Sequence, residues 1–462
     1  MSIIAVSVGS GCVSYEPAPL VGHTLIAEIS QRRLQPDPTT ATEPTPALAF
    51  AQAAAWMSEY NPDLRELRAT YDQQSALAAV ATPWPNPSVN AGLAHGFRLE
   101  DAVAGRTQPF IGMGFAIPLG PRLAATDDLH AARAEAARVD LVASHRELYL
   151  SLRHSFVRYS LATRRLAAQR ELVNDTTRIL AIIEDQAAQG IGAALDVGVM
   201  RLELGQATLE LFDYEQAVDE IRSELAALMG VAASRFADLD VQSITPAGIV
   251  PYPAIDDLPG ILATHHLALS RLEAAYEVAE RQLRLEVARQ YPDLELGWDG
   301  GQDVGEKSRE LSLSVGIAIP LFDRNQQGIA EANAARQSAR VAYESEAARV
   351  LAAADRLYQQ RTRLEARLRA TRDLMQTQAQ ANVANGQRLM QAGRLDAVRF
   401  VELVRTEREL HVATLEIQNQ LVENQLQLEY LLCLPLHTLP GIPSFDSALT
   451  PSPSATSGDS TR

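Results

Sequence analysis

The sequence is poor in aromatic residues and in cysteine, and it has neither a long apolar run nor an excess of positive charge. Aromatic residues make up 5% of the 462 residues, and the two cysteines, Cys12 and Cys433, argue against a disulfide framework. No run of eighteen apolar residues is present, which excludes a transmembrane helix. The formal net charge of -16 argues against nucleic acid as a partner. Alanine, leucine, arginine, glutamate and glutamine dominate the middle of the chain, which predicts long helices packed side by side.

What the sequence does contain is a duplicated unit, whose second copy lies about 200 residues after the first. Pro87 aligns with Pro292, and Tyr71 aligns with Tyr276. Each copy has a helix-period segment, two strand-period segments joined by a polar turn, and two more helix-period segments. The pattern predicts a leader and irregular N-terminal segment over 1–45, a first repeat over 46–230, a linker over 231–258, a second repeat over 259–434 and a disordered tail over 435–462.

Alternation of apolar with small or polar residues predicts four strands, over about residues 88–97, 110–118, 294–300 and 310–320. Leu313 and Val315, for example, alternate with Ser312 and Ser314. Such strands fit a soluble β-sandwich, and they also fit a sheet tilted across a bilayer. In lipid, however, four strands leave unpaired edges, which is energetically unacceptable. We therefore interpret them as part of a twelve-stranded barrel shared by three copies of the chain.

An uninterrupted helical pattern covers about residues 124–189, with a counterpart over about 325–392. A helix of this length is about 100 Å long. Apolar residues recur every seven positions, as at Leu152, Tyr159 and Leu166, which is typical of a coiled-coil seam. Each helix is predicted to stop at glycine and to restart at aspartate, far from the strands. These two turns contain Gly190, Gly192 and Asp196 in the first copy and Gly393, Arg394 and Asp396 in the second.

Three short segments carry a resemblance to a known family. Trp84–Ser88 and Tyr291–Leu294 lead into the strands, and Ile319–Gln326 leads out of them. Together with the duplication, these segments make the chain from Asn61 to Leu434 similar to the TolC-type outer membrane efflux proteins. The exit run resembles the CzcC-like branch, which is associated with heavy-metal cation export. The first copy departs from the pattern, because its corresponding exit run continues with Gly-Pro-Arg.

The resemblance implies a mostly α fold with a small β part, in which duplicated long-helix hairpins and four transmembrane β-strands are completed in a homotrimer. The trimer would form a twelve-stranded β-barrel in the bacterial outer membrane and an α-barrel that extends into the periplasm. The implied partners are outer membrane lipid, a periplasmic adaptor (membrane fusion) protein and an inner-membrane efflux pump. The implied function is a passive export duct of a tripartite efflux system, for heavy-metal cations or other small toxic compounds. Two alternatives stay open: a periplasmic coiled-coil scaffold or adaptor, and an outer membrane duct of a type I protein secretion system.

The resemblance also gives roles to candidate residues. The two glycine turns would form the periplasmic aperture, which in the family is both the constriction and the adaptor contact. In a trimer, Asp196 and Asp396 would give carboxylate rings that attract cations, or they are only helix N-caps, and the two roles are compatible. Arg394 is a candidate partner of Asp396 that would hold the mouth shut. Glu295 and Asp299 lie on the predicted lumen wall, where they would tune conductance or simply be solvated.

Cys12 follows an apolar stretch and small residues, a pattern that resembles the lipobox of bacterial lipoproteins. Because no basic residue precedes this stretch, lipidation of Cys12, an unmodified cysteine in a leader and a start further upstream all stay open. Cys433, among leucines at a predicted helix end, is interpreted as an inert buried thiol. The histidines have no i, i+4 pair typical of a helical zinc site, so neither a metal site nor a cofactor is predicted. No nucleophile elbow, phosphate loop or dinucleotide fingerprint is present, so no enzymatic activity is predicted.

Overall fold

A computed structural model describes residues 15–32, 47–96, 106–189, 194–236, 241–242, 252–303, 308–391, 394–395 and 397–434. In these ranges the α-helices are α1 (Gly22–Gln31), α2 (Phe50–Tyr60), α3 (Pro62–Ala78), α4 (Arg122–Ala188), α5 (Ala194–Leu228), α6 (Ala233–Phe236), α7 (Leu258–His265), α8 (Leu267–Ala288), α9 (Gln326–Arg369), α10 (Thr377–Gln391) and α11 (Ala397–Leu432). A 3₁₀ turn covers Ile255–Asp257, and a π-helical segment covers Ala370–Gln376. The strands are β1 (Ser88–Gly96), β2 (Arg106–Pro118), β3 (Asp293–Asp303) and β4 (Ser308–Ile317).

The predicted order of elements is present in both copies. The first copy runs α3, β1, β2, α4 and α5, and the second runs α8, β3, β4, α9 with α10, and α11. The mostly α fold with a small sheet is therefore confirmed. Helix α4 has 67 residues and is about 100 Å long, as predicted. Across the described ranges, each helix is either too short or too polar to span a bilayer.

The four strands form one antiparallel sheet in the order β1-β2-β3-β4. The two hairpins meet at its centre, where β2 pairs with β3. Phe110 lies opposite Gly301 at one end of this pairing, and Pro118 lies opposite Asp293 at the other. Strand β2 begins at Arg106, four residues earlier than predicted, because its first residues are polar and hide the period-two signal. Strand β4 ends at Ile317 rather than at residue 320, since no strand in the described chain pairs with its outer side.

The main core lies where α2 and the segment after α5 pack against α4. The Phe50 ring meets the Tyr149 and Phe156 rings edge to face, with centroid distances of 5.3 Å in both pairs. Phe236 and Val241, from the predicted linker, are buried in the same cluster. The linker therefore packs against the first repeat instead of only joining the two copies.

Charged side chains connect the two copies through α4. The Arg153 guanidinium of α4 lies 3.0 Å from the Glu429 carboxylate of α11, and both side chains are at most 3% exposed. Arg271 of α8 binds Asp140 of α4 at 2.7 Å and Glu147 of α4 at 2.6 Å. Helix α4 is thus held against α8 and α11 of the second copy, as well as against its own hairpin partner α5.

The long helix of the second hairpin is interrupted by the π-helical segment, which the sequence pattern did not predict. Buried positions follow seven-residue spacing through Leu364 and Thr371, but the next buried positions are Ala379 and Gly386. The step from residue 371 to residue 379 therefore contains one residue more than a heptad. A π turn accommodates one extra residue in a helix, and it keeps α10 facing α11.

Candidate functional site

The register of the sheet places the two predicted wall residues on one face. Asn90 pairs with Gly112, Gly112 with Asp299, and Asp299 with Ser312, so these four residues form one row across all four strands. Glu295 lies on the same face of β3, two rows closer to the long helices. Sequence reasoning correctly assigned Glu295 and Asp299 to a face of small and polar residues.

A third carboxylate on this face, Glu310, was missed by sequence reasoning. Its signal was the alternation that Glu310 shares with the serines of β4, at the very start of the predicted strand. Asp293 lies at the end of β3, where its carboxylate is bound by Arg122 at 3.0 Å. The charged side chains that the structure describes on this face are therefore all acidic: Asp293, whose charge Arg122 compensates, and Glu295, Asp299 and Glu310.

Glycines allow polar side chains to lie flat on this face. A Cβ on Gly112 would collide with Asp299 Oδ1 and would lie 2.8 Å from Asn90 Oδ1. In the next row a Cβ on Gly114 would lie 2.7 Å from Ser88 Oγ. The side-chain oxygens of neighbouring strands therefore converge over glycine backbone and form a smooth polar wall.

The opposite face of the sheet is apolar and exposed. On β4 the exposed fractions are 65% for Leu311, 78% for Leu313 and 73% for Val315. Seven other large members of this face are at least 36% exposed: Val89, Leu93, Ile111, Met113, Phe115, Trp298 and Ile317. A contiguous apolar surface on all four strands is unusual for a protein surrounded only by water and marks a contact with lipid or protein.

The predicted aperture lies mostly outside the described residues. Gly190, Gly192, Gly393 and Asp396 are all outside them, as is Cys12. Asp196 falls in the first turn of α5, but its side chain is not among those described. Arg394 is exposed, and its backbone N–H donates to the Leu389 carbonyl at 2.9 Å. The proposed pairing of Arg394 with Asp396 therefore stays a prediction.

Just before the predicted aperture, α10 and α11 approach closely at Gly386. A Cβ on this buried glycine would lie 2.7 Å from Leu403 Cδ1 and 3.4 Å from Phe400 Cδ2. Gly386 lies one heptad before Gly393, on the seam that the π-helical segment has shifted. Sequence reasoning missed it, because the shift hides its place in the seam.

A cavity of about 680 Å³ lies among the helices on the aperture side of the core. Its walls come from α4, α5 and α11, together with Arg367 of α9, and they combine apolar residues with carboxylates. An ion pair of 2.6 Å between Arg408 and Asp175 joins α11 to α4 in this wall. The first and second hairpins thus meet in the wall of the cavity.

Three histidines of the described chain have protein partners. His145 Nε2 lies 2.8 Å from Ser58 Oγ, His154 Nε2 lies 2.9 Å from Glu423 Oε1, and His266 Nδ1 accepts the Leu269 N–H. Burial lowers the pKa of His145 and of His266 below that of a free imidazole. Within the described ranges, histidine, cysteine and carboxylate side chains form no group of three suited to a metal ion.

Cys433 has the place that the sequence predicted. Its thiol is 4% exposed, and Sγ donates to the Tyr430 carbonyl at 3.3 Å. Burial raises the pKa of this thiol, so it remains protonated and unreactive at neutral pH.

Comparison with known proteins agrees with this geometry. Residues 57–231 match the family model described as outer membrane efflux protein. The cobalt-zinc-cadmium resistance protein CzcC of Cupriavidus metallidurans is 26% identical over 218 residues, which are 46% of this chain and 50% of that protein. The match thus spans about half the length of this curated relative. The resemblance to outer membrane efflux proteins is confirmed, and residues 57–231 carry a domain of that family.

Solved structures share the fold over nearly the whole chain. A structure of CusC, described in connection with transmembrane channel formation, has a TM-score of 0.67 at 17% identity and covers 87% of this chain and 100% of its own. The outer-membrane channel OprN has a TM-score of 0.68 at 16% identity and covers 88% of this chain and 97% of its own. At these identities the likeness establishes the fold, which is that of the outer membrane channels.

Proposed function

We propose that this protein is the outer membrane channel of a tripartite efflux system, a passive duct made of three copies of the chain. The duct would export heavy-metal cations or other small toxic compounds. It would work with a periplasmic adaptor protein and an inner-membrane pump that supplies the energy. The outer membrane is the location given by the family match and by the shared fold.

The observation that carries this proposal is the two-faced sheet. All four strands present large apolar side chains on one exposed face and mainly glycine, serine and carboxylates on the other, although the Phe110 ring also lies on that second face. In lipid, the apolar face would contact acyl chains, and the polar face would line water. A soluble scaffold would have no use for this exposed apolar face, so the observation favours the channel.

The trimer follows from the two open edges of the sheet. Within the described chain, β1 and β4 are paired on one side only. A sheet in lipid must close, because no water is present to bond the free N–H and C=O groups. Four strands are too few to close alone, since the smallest single-chain barrels have about eight. Three copies would give twelve strands with every edge paired.

Metal cations as cargo are supported by the likeness to CzcC, which is named for cobalt, zinc and cadmium resistance. Glu295, Asp299 and Glu310 of the wall carry negative charge, which is opposite in sign to metal cations. In a trimer these side chains would attract cations and hinder anions. Their effect would be on conductance and ion preference, while the pump would select the cargo.

At the other end of the helices, the glycine turns would form the aperture and the adaptor contact. This proposal includes the following residues: Gly190, Gly192, Asp196, Gly393, Arg394 and Asp396. Asp396→Asn should lower the cation preference of single channels, because it removes a ring of three carboxylates. If the variant and the wild-type channel have the same reversal potential under a salt gradient, Asp396 does not belong to the site.

Two neighbouring residues of β4 give a matched test of the sheet. Leu313→Arg places a charge on the apolar face and should cost about 2–4 kcal/mol if that face meets lipid near the bilayer midplane. Ser314→Arg places the same charge on the wall, where it should leave membrane assembly intact and reduce cation preference. The measurements are the protein's fraction in purified outer membranes and its single-channel conductance in planar bilayers. Equal behaviour of the two variants, or a wild-type protein that purifies as a monomer without detergent, would contradict the channel.

Cargo needs a separate experiment in cells. A deletion strain should become sensitive to divalent metal cations, and the wild-type chain should restore resistance. Loss of secretion of a protein substrate, with unchanged metal tolerance, would instead favour a duct of a type I secretion system.

A further inference from the structure

We propose that Phe322 is a contact between copies of this chain, and that its ring packs over Asn86 of the neighbouring copy. This inference rests on the trimer of the proposed function, but strand pairing alone does not require it. It comes from comparing the two places where a strand leaves the sheet for a long helix. The internal junction is Ile117–Arg122, which lies beside the start of β3, and the edge junction is Ile319–Arg324, which follows the edge strand β4.

The internal junction is closed by three contacts with the chain that leads into β3. The Leu119 N–H donates to the Pro292 carbonyl at 3.4 Å. A Cβ on Gly120 would lie 2.5 Å from Tyr291 Cβ, so the Tyr291 side chain fills the space that the glycine leaves. Just beyond, Arg122 binds the carboxylate at the start of β3.

The edge junction has the same sequence pattern, but no strand or entering segment of the described chain lies beside it. The exposed fractions are 70% for Ile319, 65% for Leu321 and 93% for Phe322, whereas Ile117, the counterpart of Ile319, is half-buried. The Leu321 N–H bonds locally to the Ile319 carbonyl at 2.9 Å, while its counterpart in the internal junction bonds across strands. A phenylalanine ring that is 93% exposed beside an open sheet edge indicates a surface that contacts another molecule.

The duplication identifies that partner. Phe322 corresponds to Gly120, and Asn86, in the run that leads into β1, corresponds to Tyr291. The large residue is on the entering chain in the internal junction and on the leaving chain in the edge junction. Glycine faces tyrosine in one, and phenylalanine would face asparagine in the other. In both junctions one aromatic ring faces a smaller residue, and the exchange places the ring on the opposite side of the contact.

The register of the sheet supports the same alignment. If β4 pairs with β1 of the next copy as β2 pairs with β3, then Gly316 faces Gly92 and residue 318 faces Asn90. This pairing keeps small and polar residues on the wall face of both strands, which a shift by one residue would not do. It also extends β4 to Pro320, the counterpart of the last residue of β2, and it gives the Leu321 N–H the Pro87 carbonyl as an acceptor.

One internal contact has no equivalent at the edge. Asp293 corresponds to Ser88, so Arg324 would find no carboxylate in the place where Arg122 finds one. In the described chain the Arg324 Nε donates instead to the Pro320 carbonyl at 3.1 Å. At the edge junction, packing of the Phe322 ring would therefore provide most of the contact between the two copies.

Disulfide trapping in full-length protein tests the contact directly. The double variant Asn86→Cys with Phe322→Cys, oxidised in outer membranes, should give covalent dimers and trimers on a non-reducing gel. The two positions lie on opposite edges of the sheet, about 14 Å apart at the spacing of neighbouring strands, so a link within one chain is out of reach. The control, Val89→Cys with Met113→Cys, joins residues that are paired between β1 and β2, so its link should form within the chain and stay monomeric on the gel. The unsubstituted chain measures the contribution of Cys12 and Cys433.

A size exchange tests the packing. Phe322→Gly should weaken the trimer more than about tenfold, as loss of a buried aromatic anchor does at interfaces. Adding Asn86→Tyr recreates the internal junction and should restore the trimer. The readout is the fraction of trimer on dilution in detergent, measured by light scattering. A wild-type trimer without trapping or rescue would overturn the Phe322 contact and leave the channel in place, whereas a wild-type monomer would overturn both.

Discussion

The two long hairpins arise from one duplication, yet only the first keeps a regular seam. In α4, Leu152, Tyr159 and Leu166 are buried at intervals of seven residues, and Leu180 is buried two heptads later. In the second hairpin the buried positions reach Thr371 and then move one residue along the chain, through the π-helical segment. The same fold therefore contains one uninterrupted long α-helix and one long helix in which a π turn holds one extra residue.

This difference affects the end of the molecule where the aperture is proposed. Beyond the π-helical segment, α10 and α11 approach closely at Gly386, where no side chain separates them. The glycines of α5, Gly198 and Gly205, have nothing within 4 Å of a Cβ placed on them. Gly198 and Gly205 are exposed, so this difference concerns the glycines themselves, and substitution of the buried Gly386 should have the larger effect.

The largest effect is expected where the two hairpins are tied together. Arg153→Met would remove the Arg153 cation from the buried Glu429 carboxylate, which should cost about 3–5 kcal/mol of unfolding free energy. Urea denaturation in detergent, followed by circular dichroism, measures the loss. The control is Arg138→Met, because Arg138 is half-exposed in its pair with Glu135 and should cost less than about 1 kcal/mol.

Adding Glu429→Leu to Arg153→Met removes the buried carboxylate and should recover much of the lost unfolding free energy. A double variant as unstable as Arg153→Met alone would mean that Arg153 acts through packing rather than through charge.

Two single-residue deletions, one in each hairpin, test the difference between the two seams. Deleting Arg372 makes Thr371 and Ala379 seven residues apart, so the π turn can become α-helix with the same residues buried. We expect the unfolding free energy to change by less than about 1 kcal/mol. Deleting Asn174 from α4 moves Leu180 and Ile183 off the seam and should cost on the order of 3 kcal/mol. Urea denaturation compares the two, and equal losses would show that the π-helical segment does not hold an extra residue.

The regular parts of this molecule were predictable from sequence, and the shifted parts were not. Period two identified the strands and placed Glu295 and Asp299 on one face, since alternation needs no knowledge of the neighbouring strand. The seven-residue seam was predictable through Leu364, but an extra residue in a helix leaves no local signal until its buried partners are known. For the same reason Gly386 was missed, and the acidic Glu310 was lost at an uncertain strand boundary.

The next effect concerns the close approach of α10 and α11. Gly386→Leu should push these helices apart at Leu403 and Phe400 and should cost about 1–3 kcal/mol by overpacking. Gly205→Ala is the matched control in the first hairpin, where the free space predicts a gain of about 0.5–1 kcal/mol from reduced backbone freedom. Thermal unfolding in detergent reports both changes. A loss for Gly205→Ala similar to that for Gly386→Leu would contradict the difference in packing.

The smallest effect tests the pH dependence of a partly buried ion pair between the hairpins, His154 with Glu423. Burial raises the pKa of Glu423, but the His154 hydrogen bond and the positive charges around it outweigh burial and lower that pKa overall. A carboxyl whose pKa is lowered on folding stabilises the protein above its ordinary pKa and loses that effect as the pH falls through the lowered value. Glu423→Gln should therefore cost less than about 1 kcal/mol near neutral pH, because the pair is partly solvated. The difference between variant and parent should vanish in acid, which urea denaturation at several pH values would show. If the cost of Glu423→Gln is the same at every pH, the side chain contributes by its shape and not by its charge.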